Sequence, residues 1–353
     1  MEGPDERSGR TGAGLPERPR ILMVRLSALG DLVFALPVLH ALHQALPGCR
    51  VDWLAEDRCA DLPRSHPLVA ETLVFPRRRW RRGLGAVPIA RHLVGLRRRE
   101  PWDLVLDLQS NLKSALHLRF LRARRTLGFG PPIGREGAWR FVDHAVTVDE
   151  PRLHRSERDL ELVRAAGITA GPARTAAWPL PPGVEVPDEV ADSVLLHVTT
   201  TAYGRDKEWP PGRWAELARR LADRGLAPRA LWTPADRDRV AAVVEDAGGA
   251  LGWAPPTPTL AHLMATCDRA RALIGTDSGP VHLAAHRGTP VVALFGPTDA
   301  RIYAPLGPRV RIVHSEPLET PPPPRDRSRR SPLMERIGVD EVLAALADLE
   351  VEG

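Results

Sequence analysis

Short apolar runs alternate along this chain with longer stretches in which apolar residues recur at helical spacing. Runs at 21–26, 51–54, 72–75 and 104–108 have the length and bounding turn residues of buried strands. Between them lie helical patterns from Asp31 to about Leu46, at 86–99 and at 111–122. After a segment crowded with Pro and Gly the alternation resumes. Strands are predicted at 194–198, 229–232, 271–275 and 291–295, and helices at 211–224, 235–247, 258–266 and 280–287. A final helix at 338–350 places Val339, Val342, Leu343, Leu346 and Leu349 on one face. No internal repeat of 20–50 residues is evident.

Strand–helix alternation predicts parallel sheets in an α/β fold, and its interruption predicts two domains. We expect an extension over 1–20, a first Rossmann-like domain over 21–170, a linker over 171–188, a second Rossmann-like domain over 189–316, an irregular Pro/Arg-rich segment over 317–337 and the C-terminal helix over 338–353. At 353 residues the chain is long enough for two such domains, and an apolar fraction of 43% gives each a core. Ligands of such sheets sit outside the carboxyl ends of the strands, so the loops after strands are where chemistry is sought.

Composition narrows the function. Cys49, Cys59 and Cys267 form no CxxC pair and leave an odd count, which argues against a disulfide framework or a thiolate metal site and for a reducing compartment. Residues 1–20 lack the apolar core of a signal peptide, and the most apolar stretch, near 32–46, is broken by Pro37, His40, His43 and Gln44. A cytoplasmic protein is expected, with any membrane contact peripheral through basic and apolar surface. The net charge is +5, and among 49 basic residues only Lys113 and Lys207 are lysines. A basic surplus suits nucleic acid, phosphate-bearing substrates or an anionic membrane face. No helix-turn-helix or RNA-binding signature accompanies the arginines, which disfavours nucleic acid. Asp236-Arg237-Asp238 matches a DxD pattern but reads as a coincidence at a helix start, and the twelve histidines show no HxH or HExxH spacing, so no metal is expected.

Four segments carry candidate chemistry. Arg25-Leu26-Ser27-Ala28-Leu29-Gly30-Asp31 is a strand end, a small-residue turn and a helix start, with Gly30 suited to a tight turn or close approach and Asp31 able to cap the helix or face a ligand. Gly275-Thr276-Asp277-Ser278-Gly279-Pro280-Val281-His282 follows a strand and opens a helix whose free N–H groups would receive an anion such as a diphosphate. Thr199-Thr200-Thr201 through Lys207 supplies hydroxyls and a cation that could neutralise a leaving phosphate. Arg77 to Arg82, Arg97 to Arg99, Arg119 to Arg125 and Lys113 offer a grip on phosphates or carboxylates.

In consistent order from about residue 21 to 315, these segments resemble glycosyltransferase family 9, mostly ADP-heptose-dependent heptosyltransferases, and within it the type I lipopolysaccharide heptosyltransferases. The resemblance rests on Leu29-Gly30-Asp31, Asp52-Trp53-Leu54, Arg78-Arg79-Trp80-Arg81, Gln109 to Ser114, Asp206-Lys207-Glu208-Trp209-Pro210 with Trp214, Asp277 through Leu283, and Gly296 to Asp299. It implies the GT-B fold, two Rossmann-like domains with parallel sheets around a central cleft, and inverting transfer without a metal or other cofactor. ADP-sugar would be the donor substrate and a lipid-linked, phosphorylated or acidic inner-core glycan of Kdo-lipid A type the acceptor. The resemblance further implies that Asp31 is the general base, and that Lys207, the run Thr199, Thr200, Thr201, and the N–H groups at Ser278 and Gly279 contact the diphosphate. Asp277 would hold sugar hydroxyls, with His282 in the same motif, and Asp236 is the candidate for the ribose. Gly30, Arg78, Arg79, Arg81 and Lys113 are candidates for the acceptor. The Thr run stands further from Asp206-Lys207 than in the family, which leaves open which Thr meets phosphate. The alternatives are an inverting transferase using another sugar nucleotide or another glycan acceptor and, remotely, an Arg-rich nucleic-acid-binding protein.

Overall fold

The computed structural model describes residues 14–78, 86–150, 152–316 and 329–351. The chain divides into two compact units, Met1–Ala173 and Arg174–Gly353. Each contains one six-stranded sheet, and every strand pair is parallel. This is the α/β architecture expected from the sequence.

In the first unit the strands are β1 (Arg20–Val24), β2 (Arg50–Glu56), β3 (Glu71–Phe75), β4 (Leu104–Asp107), β5 (Thr126–Phe129) and β6 (His144–Val146). Their order is β3-β2-β1-β4-β5-β6. Ile21 to Val24 are fully buried, as befits a central parallel strand covered on both faces. The helices are α1 (Leu29–Phe34), α2 (Leu36–Ala45), α3 (Asp61–Ser65), α4 (Ala86–Arg97), α5 (Leu112–Leu118) and α6 (Arg155–Ala165). The single helix expected from Asp31 to Leu46 is two, divided at Ala35. Pro37 is the cause, because it has no N–H to bond back to Val33. The pattern at 111–122 yields only seven helical residues.

In the second unit the strands are β7 (Ser193–His197), β8 (Ala227–Ala230), β9 (Gly252–Trp253), β10 (Ala272–Thr276), β11 (Val291–Phe295) and β12 (Val310–His314), in the order β12-β11-β10-β7-β8-β9. The helices are α7 (Pro211–Ala222), α8 (Arg237–Asp246), α9 (Leu260–Arg269), α10 (Gly279–Arg287), α11 (Ala300–Tyr303), α12 (Pro332–Glu335) and α13 (Val339–Val351). The core joins α7, β11, β12 and α13. Trp209 and Trp214 meet edge to face at 4.9 Å, and Trp209 Nε1 donates to the Ile337 carbonyl at 3.1 Å. All five residues assigned to the inner face of the last helix are buried there.

Both sheets reverse direction once. The chain steps outward from β1 to β3, then returns to lay β4 on the other side of β1; β7 and β10 stand in the same relation. Right-handed crossovers put the helices on both faces. The gap between diverging loops at such a reversal is where α/β proteins bind ligands.

Residues 14–19, expected within an extension, include buried Leu15 and Pro19. Of the Pro-rich stretch 171–188, Trp178 is 4% exposed and stacks under Arg287 in the second unit. Residues 317–328 lie outside the described residues, whereas α12 within the expected irregular segment sends Met334 into the core.

Candidate functional site

The first reversal point lies between the loops after β1 and β4. Gln109 Oε1 accepts from the N–H of Leu26 at 3.1 Å and of Ser27 at 3.4 Å, which fixes the turn before α1. Ala28 N–H donates to Asp31 Oδ2 at 3.2 Å. Asp31 is half-buried, and among the described residues its second oxygen has no partner. The helix-capping reading is thus observed, one carboxylate oxygen receiving the Ala28 N–H and the second left without a partner among the described residues. Gly30 is not in the turn, as expected, but inside α1; the small residues Ser27 and Ala28 make the turn instead.

A cluster lies along the same carboxyl edge. Glu56, fully buried at the end of β2, accepts from Lys113 Nζ at 2.8 Å and Arg58 Nε at 3.0 Å, and Arg77 Nε lies 3.4 Å away. Lys113 Nζ also reaches Ser27 Oγ at 3.4 Å. Asp57 and Asp31 stand near the same group, so acidic and basic side chains are clustered together along this edge. Exposed Arg78 belongs to the same loop, its N–H bonded to Asp57. Arg79 and Arg81 lie outside the described residues. Sequence reasoning singled out Arg77 within its basic run but missed Glu56 and Arg58. The available signal was position: each stands at or just beyond the end of a predicted strand.

The second reversal point lies between the loops after β7 and β10. A helical turn over Ala202–Lys207 carries Lys207 back to the β10 loop, where Nζ donates to the Asp277 carbonyl at 2.5 Å and to Asp277 Oδ2 at 3.1 Å. Two of its three N–H donors are used, and one remains for a ligand. His282 Nε2 meets Asp277 Oδ1 at 2.9 Å. Burial alone would push the Asp277 carboxyl up, but Lys207 and His282 outweigh it and hold the group well below the usual carboxylate range. His282 is 3% exposed and acts as a brace for Asp277.

Ser278 precedes α10, and the N–H groups of Gly279 and Val281 have no partner among the described residues. Gly275 is needed because a Cβ there would lie 2.5 Å from Val281 Cγ2. The N-terminal end of α10 thus presents free donors beside the Lys207 ammonium, a setting that attracts an anion.

The three threonines have different surroundings. Thr199 Oγ1 donates to Asp236 Oδ2 at 2.5 Å, and Thr200 Oγ1 to Glu208 Oε1 at 3.1 Å; Thr201 is exposed. Asp236 also accepts from Thr233 N–H and Oγ1 at 2.6 and 2.7 Å. Burial works against its charge, yet these bonds prevail and lower its pKa. Glu208 receives Arg239 Nη1 at 2.6 Å, and Arg239 Nη2 reaches the Thr200 carbonyl at 2.8 Å. Glu208 and Arg239 are the struts of the Thr loop. Neither was singled out: Glu208 fills a variable motif slot, and Arg239 is one arginine among many. His197, pushed down to about 4 by burial, accepts or donates at Nδ1 with Ser278 Oγ at 3.0 Å. Trp232 and Trp253, edge to face at 5.7 Å with Arg237 over both, form an aromatic wall beyond Asp236 that sequence reading missed. Among the described residues, no group of three or more His, Cys, Asp or Glu could hold a metal ion.

Comparison with known proteins identifies the family. Residues 89–331 match the sequence profile described as Glycosyltransferase family 9 (heptosyltransferase). The chain is 33% identical over 299 residues to lipopolysaccharide heptosyltransferase 1 of Pseudomonas aeruginosa, covering 79% of either chain. It is 28% identical over 295 residues to the Escherichia coli protein of the same name, covering 82% of this chain and 91% of the relative. Among solved structures, it superposes on E. coli heptosyltransferase WaaC with ADP at a TM-score of 0.74 and 24% identity, covering 94% of this chain and 99% of that one. A family 9 glycosyl transferase from Veillonella parvula gives 0.79 at 19% identity, covering 95% and 98%. The fold is thus that of the GT-B heptosyltransferase structures, and the protein is a glycosyltransferase. It belongs to glycosyltransferase family 9 and is similar to the type I heptosyltransferases.

Proposed function

We propose that this enzyme transfers a heptose from ADP-heptose to a Kdo-lipid A type acceptor of the lipopolysaccharide inner core, with inversion and without a metal. The support is the relatives' names together with one structural observation. The reversal point of one unit carries a partly exposed carboxylate near Lys113, Arg58 and Arg77, and that of the other carries a lysine and free helix N–H groups.

Asp31 is the general base. Its free oxygen takes the proton of the acceptor hydroxyl while the hydroxyl oxygen attacks the anomeric carbon and the bond to the diphosphate breaks. A carboxylate suffices if it receives the proton late, for help worth roughly 10²–10⁴-fold. The departing diphosphate gains charge that the third N–H of Lys207 and the start of α10 offset in place of a cation. Ser278 and Gly279 sit at that helix start, and Thr201 is the exposed threonine of its run. Asp277 orients Lys207 and holds sugar hydroxyls; Asp236 faces the ribose, with the Trp232–Trp253 wall for the base. Lys113, Arg77 and Arg78 hold the acidic acceptor.

The test is a donor screen following nucleoside diphosphate release from ADP-, UDP- and GDP-sugars with a Kdo-lipid A acceptor, with and without EDTA. ADP-heptose alone should support transfer, and chelation should not change the rate. Asp31→Asn should lose about 10²-fold or more in kcat while binding ADP normally. Turnover of UDP- or GDP-sugars, loss on chelation, or a wild-type rate in Asp31→Asn would each refute part of this reading.

A further inference from the structure

In the loop after β7, one ion pair holds every polar group of Thr200. The Thr200 N–H donates to Glu208 Oε1 at 3.0 Å, and its hydroxyl lies 3.1 Å from the same oxygen and 3.3 Å from the Thr201 carbonyl. The Thr200 carbonyl accepts from Arg239 Nη2 at 2.8 Å, and Arg239 Nη1 closes the ring on Glu208 Oε1 at 2.6 Å. Thr200 is buried and keeps no donor for an anion. Thr201 differs: it is exposed, and among the described residues its N–H and hydroxyl have no partner. Its carbonyl accepts from the Gly204 N–H at 2.8 Å.

The same ring reaches Lys207. Glu208 is its neighbour in the chain, and the turn Ala202–Lys207 lies close against Thr200. A Cβ on Gly204 would stand 3.2 Å from Thr200 Cβ and 3.3 Å from Lys207 Cε, so Gly204 permits the approach. Arg239 sits in the first turn of α8, just beyond Asp236, which takes the Thr199 hydroxyl. The start of α8 therefore grips two successive threonines, and the loop that delivers Lys207 to Asp277 is anchored at its other end. Charge matters as well as position. The Glu208 side chain is 17% exposed and that of Arg239 38%, so the carboxylate beside Lys207 is only partly screened by water. Without the guanidinium it would oppose any anion that Lys207 attracts.

We propose that Arg239 is a positioning residue for the nucleotide's phosphates. With Glu208 it locks Thr200, so that Thr201 and Lys207 are the groups of this loop left to face the anion, and it offsets the Glu208 carboxylate that would repel that anion. Arg239 itself does not touch phosphate, because both of its terminal nitrogens are spent on Glu208 and Thr200. The pair thus acts on ground-state affinity for the nucleotide rather than on the proton transfer. It rests on the proposed function for the identity of the anion, and its own test needs neither acceptor nor transfer.

The experiment is calorimetric titration of the full-length protein with ADP, comparing Arg239→Met, Glu208→Gln, the two together, and Lys207→Met. Arg239→Met should weaken ADP about tenfold or more, since it leaves a carboxylate uncompensated beside the site. Glu208→Gln keeps the acceptor for Thr200 without the charge and should stay within about threefold of wild type. The double variant should regain most of what Arg239→Met loses, because the repelling charge has gone too. Arg239→Gln, a milder change, carries the same expectation, and circular dichroism melting shows that each variant is folded. In turnover, Arg239→Met should raise KM for the nucleotide sugar and leave kcat near wild type. Wild-type ADP affinity in Arg239→Met, a kcat loss with unchanged KM, or a double variant as weak as Arg239→Met would overturn the proposal; the last result would mean that Arg239 meets phosphate directly. Lys207→Met separates the two ideas. Unchanged affinity there sinks the phosphate site and this inference with it, whereas a loss there with none in Arg239→Met overturns the positioning role alone.

Discussion

Asp159→Ala should destabilise the first unit by about 3–5 kcal/mol. Arg25 follows β1, Asp159 lies on α6, both are fully buried, and Nη2 meets Oδ2 at 2.5 Å. Burial is the strongest influence on Arg25 and acts against its charge, while Asp159, and more weakly Asp31, sustain it. Removing Asp159 leaves a guanidinium enclosed without its main counter-ion, and Arg155, 3.8 Å from the other carboxylate oxygen, loses the same partner. For a unit of this size each kcal/mol moves Tm by about 2–4 °C, so the midpoint should fall by roughly 6–20 °C. The measurement is thermal unfolding by circular dichroism, with the urea midpoint as a second readout. Among the described residues Arg25 Nε and Nη1 have no hydrogen-bond partner, so the pair is incompletely satisfied. Replacing both members, Arg25→Met with Asp159→Leu, should therefore recover most of the loss. A single variant within about 1 kcal/mol of wild type, or a double variant no better than the single, would refute the reasoning. Arg25 roots the turn that carries Asp31, so Asp159→Ala should also lower kcat below its own melting range.

Lys207→Met should weaken ADP binding about 10–100-fold by calorimetry, the worth of one charge-assisted hydrogen bond, and unchanged affinity would remove Lys207 from the phosphate site. Burial pushes His66 down to about 3 from its ordinary 6.5, so the folded protein binds fewer protons than the unfolded chain. The stability this confers is complete above about pH 6.5 and drains away as pH falls from there toward about 3, at up to about 1.4 kcal/mol per unit. His66→Gln should flatten the urea midpoint between pH 7 and 5, and an unaltered slope would count against it.

Much of the fold was legible because parallel strands buried on both faces are written as apolar runs, and Val194, Leu196, Ile274 and Val292 could hardly be placed otherwise. The strands at 126–129, 144–146 and 310–314 were not. They are short and mixed in polarity, two of them at sheet edges, so nothing in their pattern separates them from loop. Helix α6 escaped for another reason: its inner face includes Ser156, Arg158 and Asp159, polar residues whose burial only their partners make tolerable.

The sequence by itself determined the layered α/β class, the interruption between two units, and the strand-end segments that carry Asp31, Lys207 and Asp277, because local period and turn chemistry are properties of neighbours in the chain. Tertiary structure alone decided which strands stand side by side at each reversal. It also brought Glu56 to Lys113 across 57 positions, Lys207 to Asp277 across 70 and Arg25 to Asp159 across 134. Such charges meet only when the sheet has formed, and no periodicity records a partner that far away.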